Sequence, residues 1–96
     1  MKYVSLPHFE RKFDTYLPAE QEIIHDTLKA IQSYLESDTA SYGLRVKRLC
    51  PKIYEARINI HLRIAYFRDK DIIKFFCLGN HDDIARCLKR LQSIKP

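Results

Sequence analysis

The stretch 54–83, YEARINIHLRIAYFRDKDIIKFFCLGNHDD, decides the fold. Ile53 to Ile58 and Arg63 to Arg68 are short, apolar-rich runs on either side of Asn59-Ile60-His61, and they read as two strands. Asp69-Lys70-Asp71 is a tight turn into a third run, Ile72 to Leu78, which Gly79 breaks. Asn80 is placed to cap a helix whose first turn carries Asp82 and Asp83, both favoured at the positive end of a helix dipole. Ile84, Leu88, Leu91 and Ile94 then lay one face of that closing helix on an apolar surface.

Upstream, Leu44 to Leu49 reads as a basic strand, and Cys50-Pro51-Lys52 turns the chain because proline cannot donate within a central strand. Residues 37–43 form a loop by composition. Ile24, Leu28, Ile31 and Leu35 step by four, three and four, which predicts an amphipathic helix from Pro18 to about Ser37. Pro7 opens a shorter helix with Phe9, Phe13 and Tyr16 on one side, since the missing N–H costs nothing at a first-turn position. Residues 2–6 alternate and read as a first strand. The sum is an α+β fold in one domain, 1–96: an N-terminal strand, a two-helix hairpin on an antiparallel four-strand meander, and a C-terminal helix. The helices are expected on one sheet face, leaving the other open for function.

Close to half of the 96 residues are apolar, enough for one core. No run of eighteen apolar residues exists and the N-terminus meets charge early, so neither a membrane span nor a signal peptide is expected and a cytoplasmic protein is the default. Cys50, Cys77 and Cys87 are odd in number and form no Cys-x-x-Cys pair, so reduced thiols are expected, with Cys77 and Cys87 packed as small hydrophobes. The charge is unevenly spread. Residues 1–43 hold four Lys/Arg against seven Asp/Glu, 44–74 nine against three, and 75–96 four against two, which returns the net +5. A basic middle block on a sheet suits a polyanion, and equally it is how exposed strands stay solvated.

Glu55, Arg57 and Asn59 alternate onto one face. A three-residue loop, Asn59 to His61, pairs Arg57 directly with Arg63, whereas a two-residue loop at Ile60-His61 sends the arginines to opposite faces. Adjacent arginines repel and call for a carboxylate or a phosphate between them: Glu55 could supply the first, RNA the second. His81, on the helix N-terminus, and His61, in the hairpin, are the histidines placed for acid–base work, although a histidine in a capping region commonly does none. The His-Asp-Asp run does not make a metal site, because adjacent residues of a first helical turn diverge and no second cluster completes one. No phosphate loop, serine nucleophile motif or cysteine–histidine signature is present, and neither metal nor cofactor is expected.

The order of elements and the phrases Tyr54-Glu-Ala-Arg-Ile-Asn59, Arg63-Ile-Ala-Tyr66 and Gly79-Asn-His-Asp-Asp83 resemble the RelE/ParE superfamily of toxin–antitoxin toxins over nearly the whole chain. The resemblance implies a toxin neutralised by an antitoxin that wraps it. In the RelE-like branch such a toxin enters the ribosomal A site and cuts mRNA, the ribose 2′-OH attacking the adjacent phosphate without a metal. It implies that Arg63 contacts the scissile phosphate and that His81 is the acid–base group, matching a histidine of YafQ-like members. Arg57 falls where those members carry a catalytic histidine, and His61 near their catalytic aspartate. Arg45, Lys47, Arg48, Lys52 and Glu55 complete the expected RNA-binding set. Cys87 stands about where RelE has its C-terminal tyrosine, Tyr54 and Ala56 about where it has paired lysines, and the HigB-like ending is absent. A ParE-like inhibitor of DNA gyrase and an inactive RelE-fold binding protein are the competing readings, and the fold alone does not choose among them. Convergence of both arginines and His81 on one concave face would favour the nuclease.

Overall fold

The computed structural model describes residues 1–37 and 44–94, with side chains through residue 91. The loop expected over 37–43 therefore falls largely outside the described residues, as does the side chain of Ile94. The elements are β1 (Lys2–Ser5), α1 (Pro7–Asp14), α2 (Pro18–Ser37), β2 (Lys47–Cys50), β3 (Ile53–Arg57), β4 (Arg63–Asp69), β5 (Ile72–Gly79) and α3 (His81–Ile94). The α+β class and the element order are those expected. The strands form one mixed sheet in the order β1-β5-β4-β3-β2, the meander antiparallel and β1 added parallel to β5.

Both N-terminal helices begin where proline allows. Pro7 stands in the first turn of α1. At α2, the Leu17 N–H donates to Glu20 Oε1 at 3.1 Å, so the carboxylate reaches back over Pro18 to satisfy a donor that the helix leaves open. Gln21 Nε2 donates to the Phe13 carbonyl at 3.1 Å and ties the two helices together.

The α1/α2 layer covers one sheet face. Phe9, Ile24 and Ile31 pack there on Ala56, Ile64, Tyr66, Ile73, Phe75 and Leu78. An aromatic row crosses the central strands at this interface, with Tyr54 stacked on Tyr66 at 5.6 Å and Phe75 edge-on to Tyr66 at 6.1 Å. The expectation of an open second face is corrected here. Helix α3 crosses to that face and buries Ile84 and Cys87 against Ala65, Phe76 and Cys77, with Leu49, Ile53 and Phe67 alongside. The reason is legible in β4, where Ile64, Ala65 and Tyr66 are all essentially buried, so a strand of this kind needs cover on both sides.

Two irregularities adjust the faces. Tyr66 pairs with Phe75 and Ala65 with Cys77, so Phe76 is an extra residue in β5. This bulge directs Phe76 and Cys77 to the α3 side in succession. In the expected strand Leu44–Leu49, Arg45 adopts a left-handed φ of 44°. Pairing as β2 consequently starts only at Lys47, while Leu44 drops into the α1/α2 core and its carbonyl accepts the Arg57 N–H at 2.9 Å.

The cysteine expectation is also corrected. Cys77 and Cys87 are buried as expected, but they are joined as a disulfide with Cα atoms 6.4 Å apart, and Cys50 is the free thiol. The bulge faces Cys77 toward α3, and Cys87 lies one turn beyond Asp83 on the helix that covers it. Among the described residues no helix is long and apolar enough to cross a membrane.

Candidate functional site

The register of the central strands builds the site. Arg57 pairs with Arg63, the outcome of a three-residue loop, and Arg63 pairs on its other side with Gly79. The hairpin closes because Ile58 and Asn59 N–H groups donate to the Leu62 carbonyl, while Asn59 Oδ1 accepts from the His61 and Leu62 N–H groups at 2.8 and 2.9 Å. Asparagine is suited to folding its side chain back on the backbone in this way. Both arginines therefore sit in one row on the α3 face, and that row ends at the glycine from which α3 departs.

His81 is the first residue of α3, and the corner that holds it is tightly specified. Asp83 N–H donates to Asn80 Oδ1 at 2.9 Å and Asn80 N–H donates to Asp83 Oδ2 at 2.9 Å, a reciprocal capping box. The Asp83 carboxyl is held below its ordinary range, first by that backbone N–H and also by Lys12 and Arg86. Arg86 forms a direct ion pair with Asp83, and Lys12 Nζ lies 3.9 Å from it. Gly79 must be glycine: a Cβ there would lie 2.4 Å from Asp83 Oδ2 and 2.6 Å from Asp83 Cβ.

From this corner the His81 imidazole meets Arg63, with Nη1 3.1 Å from Nδ1. A guanidinium can only donate, so Nδ1 is the acceptor and the proton of a neutral ring resides on Nε2. The contact thus selects one tautomer and leaves an Nε2–H directed away from the arginine.

Arg63 and His81 line a cleft of about 420 Å³ between α3 and strands β2–β4, together with Arg45, Lys47, Glu55 and Arg57. Val46, Leu49, Ile84, Ala85 and Leu88 form its apolar wall. Its formal charge, counting four cations against Glu55, is +3 with His81 neutral. Lys47 pairs with Glu55 in the β2–β3 register, so the one carboxylate sits opposite a lysine. Among the described residues no carboxylate forms an ion pair with Arg57 or Arg63. The remaining sequence candidates lie elsewhere. Arg48 pairs with Tyr54 and shares its side of the sheet, toward α2. Lys52 occupies the β2–β3 turn with a left-handed φ of 74° and faces Asp69 at 3.6 Å. His61 stays exposed at the hairpin tip and does not line the cleft.

The sequence did not bring out a second constellation. His8, Cys77 and Cys87 place their donor atoms within 4.8 Å of one another. His8 is separated from Cys87 by 79 positions, and no local spacing announces their meeting.

No family model and no curated protein matches this chain in sequence. Two solved structures match it in shape. YafQ from E. coli strain BL21(DE3) superposes with a TM-score of 0.63 at 12% identity, covering 86% of this chain and 96% of its own. HP0894 from Helicobacter pylori, described as a conserved hypothetical protein, superposes with a TM-score of 0.55 at 14% identity, covering 88% of this chain and 98% of its own. The fold implied by the sequence resemblance is therefore present: the chain adopts the RelE/YafQ-like α+β fold.

Proposed function

We propose that this chain is the toxin of a toxin–antitoxin pair, a RelE-like endoribonuclease that cleaves mRNA on the ribosome and is held inactive by an antitoxin protein. The observation that carries the reading is the convergence of Arg57, Arg63 and His81 in one basic cleft where, among the described residues, neither arginine has a carboxylate partner. A phosphodiester supplies the anion that the arginine row lacks, and a guanidinium can meet a phosphate with two parallel hydrogen bonds.

The chemistry can be written with the chain's own groups. RNA phosphate entering the cleft competes with His81 for Arg63 and releases Nδ1. His81 then takes the 2′-OH proton as the 2′-oxygen attacks phosphorus. Arg57 and Arg63 stabilise the charge of the pentavalent phosphorane. The P–O5′ bond breaks, and the imidazolium returns its proton to the departing 5′-oxygen. A 2′,3′-cyclic phosphate and a 5′-hydroxyl end result. Arg45 and Lys47, at the cleft mouth, hold flanking phosphates. Arg48, Lys52 and His61 stand outside this cleft, so they enter the mechanism only as contacts to more distant parts of mRNA or rRNA.

Primer extension on a defined mRNA in a translating extract tests the reading, with His81→Ala and Arg63→Ala alongside the parent. Codon-positioned cuts that need ribosomes and vanish in both variants are expected. Toxicity without cuts would overturn the proposal and direct attention to gyrase supercoiling; absence of both would leave a binding protein on this fold.

A further inference from the structure

The His8, Cys77 and Cys87 cluster lies on the α3 side of the sheet, away from the arginine row, and the RNA reading does not use it. Its two sulfurs differ in access. Cys77 is 1% exposed and its Sγ lies 3.6 Å from the Asp83 carbonyl oxygen. Cys87 is 8% exposed and lines two surface depressions, one of its own against Leu6, Phe76 and Leu91, the other shared with Cys77 toward Lys12 and Arg86. His8, exposed on α1, places Nε2 3.8 Å from Cys87 Sγ. Burial first, and then Arg90, Arg11 and Lys12, hold the His8 imidazole below its usual protonation range, leaving a neutral ring able to take a proton. Those cations also favour a thiolate beside them over a divalent metal ion.

We propose that Cys87, Cys77 and His8 form a thiol–disulfide exchange site for low-molecular-weight thiols and disulfides, in which Cys87 is the sulfur that reacts with the small molecule. In the oxidising direction His8 Nε2 accepts the Cys87 thiol proton. The Cys87 thiolate attacks one sulfur of the small disulfide, forming a mixed disulfide and releasing one small thiolate, which takes up that proton. Cys77 then loses its proton and attacks Cys87 Sγ. The Cys77–Cys87 bond forms and the second small thiolate leaves with the Cys77 proton. Two protein thiols are oxidised and one small disulfide is reduced to two thiols. The reverse sequence opens the bond, and the freed Cys77 thiol can donate to the Asp83 carbonyl. The bond closes a segment, sequence separation 10, that contains Gly79, Asn80, His81 and Asp83. Exchange at Cys87 therefore fastens or frees the corner that aims His81.

The test uses the full chain carrying Cys50→Ser, equilibrated in glutathione buffers of defined redox ratio, quenched by alkylation and read by peptide mass spectrometry. Cys77 and Cys87 should oxidise and reduce together as a pair. Reduced Cys77→Ala protein given oxidised glutathione should trap the adduct on Cys87, while Cys87→Ala leaves Cys77 at least about tenfold slower, as its burial requires. His8→Gln should slow adduct formation on Cys87 about tenfold, with circular dichroism reporting an unchanged fold. Amide exchange of residues 79–87 should be faster in the reduced parent. Equal reaction of both sulfurs, an unaffected His8→Gln rate, or thiols that never pair in oxidising buffer would each overturn the proposal. So would uptake of one zinc ion by the reduced protein that blocks exchange, which would make the cluster a metal site.

Discussion

Replacing Gly79 with alanine tests whether the β5–α3 corner is as tightly specified as its geometry implies. The new Cβ would meet Asp83 at Oδ2, Cβ and Cγ, at 2.4, 2.6 and 2.7 Å. The carboxylate oxygen could swing away, but the Asp83 Cβ is fixed by its helix, so the backbone must shift. Moving the carboxylate breaks the bond it accepts from the Asn80 N–H, one half of the capping box and a loss of about 1 kcal/mol. Relieving the remaining overlap in a well-packed corner adds roughly 1–3 kcal/mol. The expected destabilisation is thus about 2–4 kcal/mol, a fall in Tm of roughly 10–25 °C for a domain of this size. Urea unfolding of parent and variant under identical oxidising conditions measures it. An Asp83→Ala background separates the two parts: the carboxylate half of the capping box is already lost there while the bond to Asn80 Oδ1 stays, so Gly79→Ala should cost about 1 kcal/mol less, yet the Cβ contact keeps the cost above zero. A Gly79→Ala change within about 0.5 kcal/mol of the parent would mean that the corner is not constrained, since that is the range of an ordinary surface position.

Arg63→Ala should leave the fold intact, because the side chain is only half-buried, and lower cleavage in the translating assay by about 10²–10³. Arg57→Ala relieves a like-charge cross-strand pair and should stabilise the domain by up to about 1 kcal/mol while weakening cleavage, with denaturant midpoint and cut yield moving in opposite directions. Inorganic phosphate should raise Tm more than chloride at matched ionic strength, and the excess should disappear in an Arg57→Ala/Arg63→Ala protein. Tyr66 is pushed up to about 12 by burial, and Tyr3 likewise by burial and its hydrogen bond to Glu36. Both raised values contribute stability that is present below the ordinary tyrosine value of about 10 and is lost as pH rises from there through about 12, so ultraviolet titration should show them ionising with alkaline unfolding. Asp83 has the opposite sign: its contribution is present above the ordinary carboxylate value and is lost as pH falls below it, so Asp83→Asn should flatten the acid limb of the stability curve.

Much of this was legible because the sequence speaks strongly where one physical rule dominates. The spacing of Ile24, Leu28, Ile31 and Leu35 gave α2, prolines gave two helix starts, and Asn80 with Asp83 gave the cap of α3. The misplaced feature was the side of the sheet that α3 covers. It is a consequence of non-local packing, yet β4 carried a usable sign, since the run Ile64-Ala65-Tyr66-Phe67 does not alternate and a strand of that kind wants cover on both faces. The bulge at Phe76 had no such sign. It shifts Cys77 onto the α3 side and so makes the disulfide possible, which is why two cysteines ten positions apart read as unpaired thiols. Of the site residues, those fixed by strand register or by the cap, Arg57, Arg63 and His81, come together. Arg48 and Lys52 were grouped with Lys47 by charge and sequence proximity, and alternation along β2 and the turn at Pro51 separate them from it.

The restraint on His81 exceeds what folding needs from an exposed residue at the start of a helix. Gly79 lets Asp83 close over the strand end, the Asn80–Asp83 box fixes the first turn, and Arg63 holds the imidazole. The Cys77–Cys87 bond encloses the whole segment. A helix cap alone would serve stability, and it would do so with almost any residue in the histidine's place. Arg57 and Arg63, meanwhile, are set side by side without a carboxylate partner among the described residues, an arrangement that opposes folding by a few tenths of a kcal/mol to about 1 kcal/mol. Redundant restraint on one side and tolerated repulsion on the other meet at the same few ångströms of surface. Stability accounts for neither, whereas the proposed site, which would present one ring nitrogen and two guanidinium groups to an incoming phosphate, would account for both.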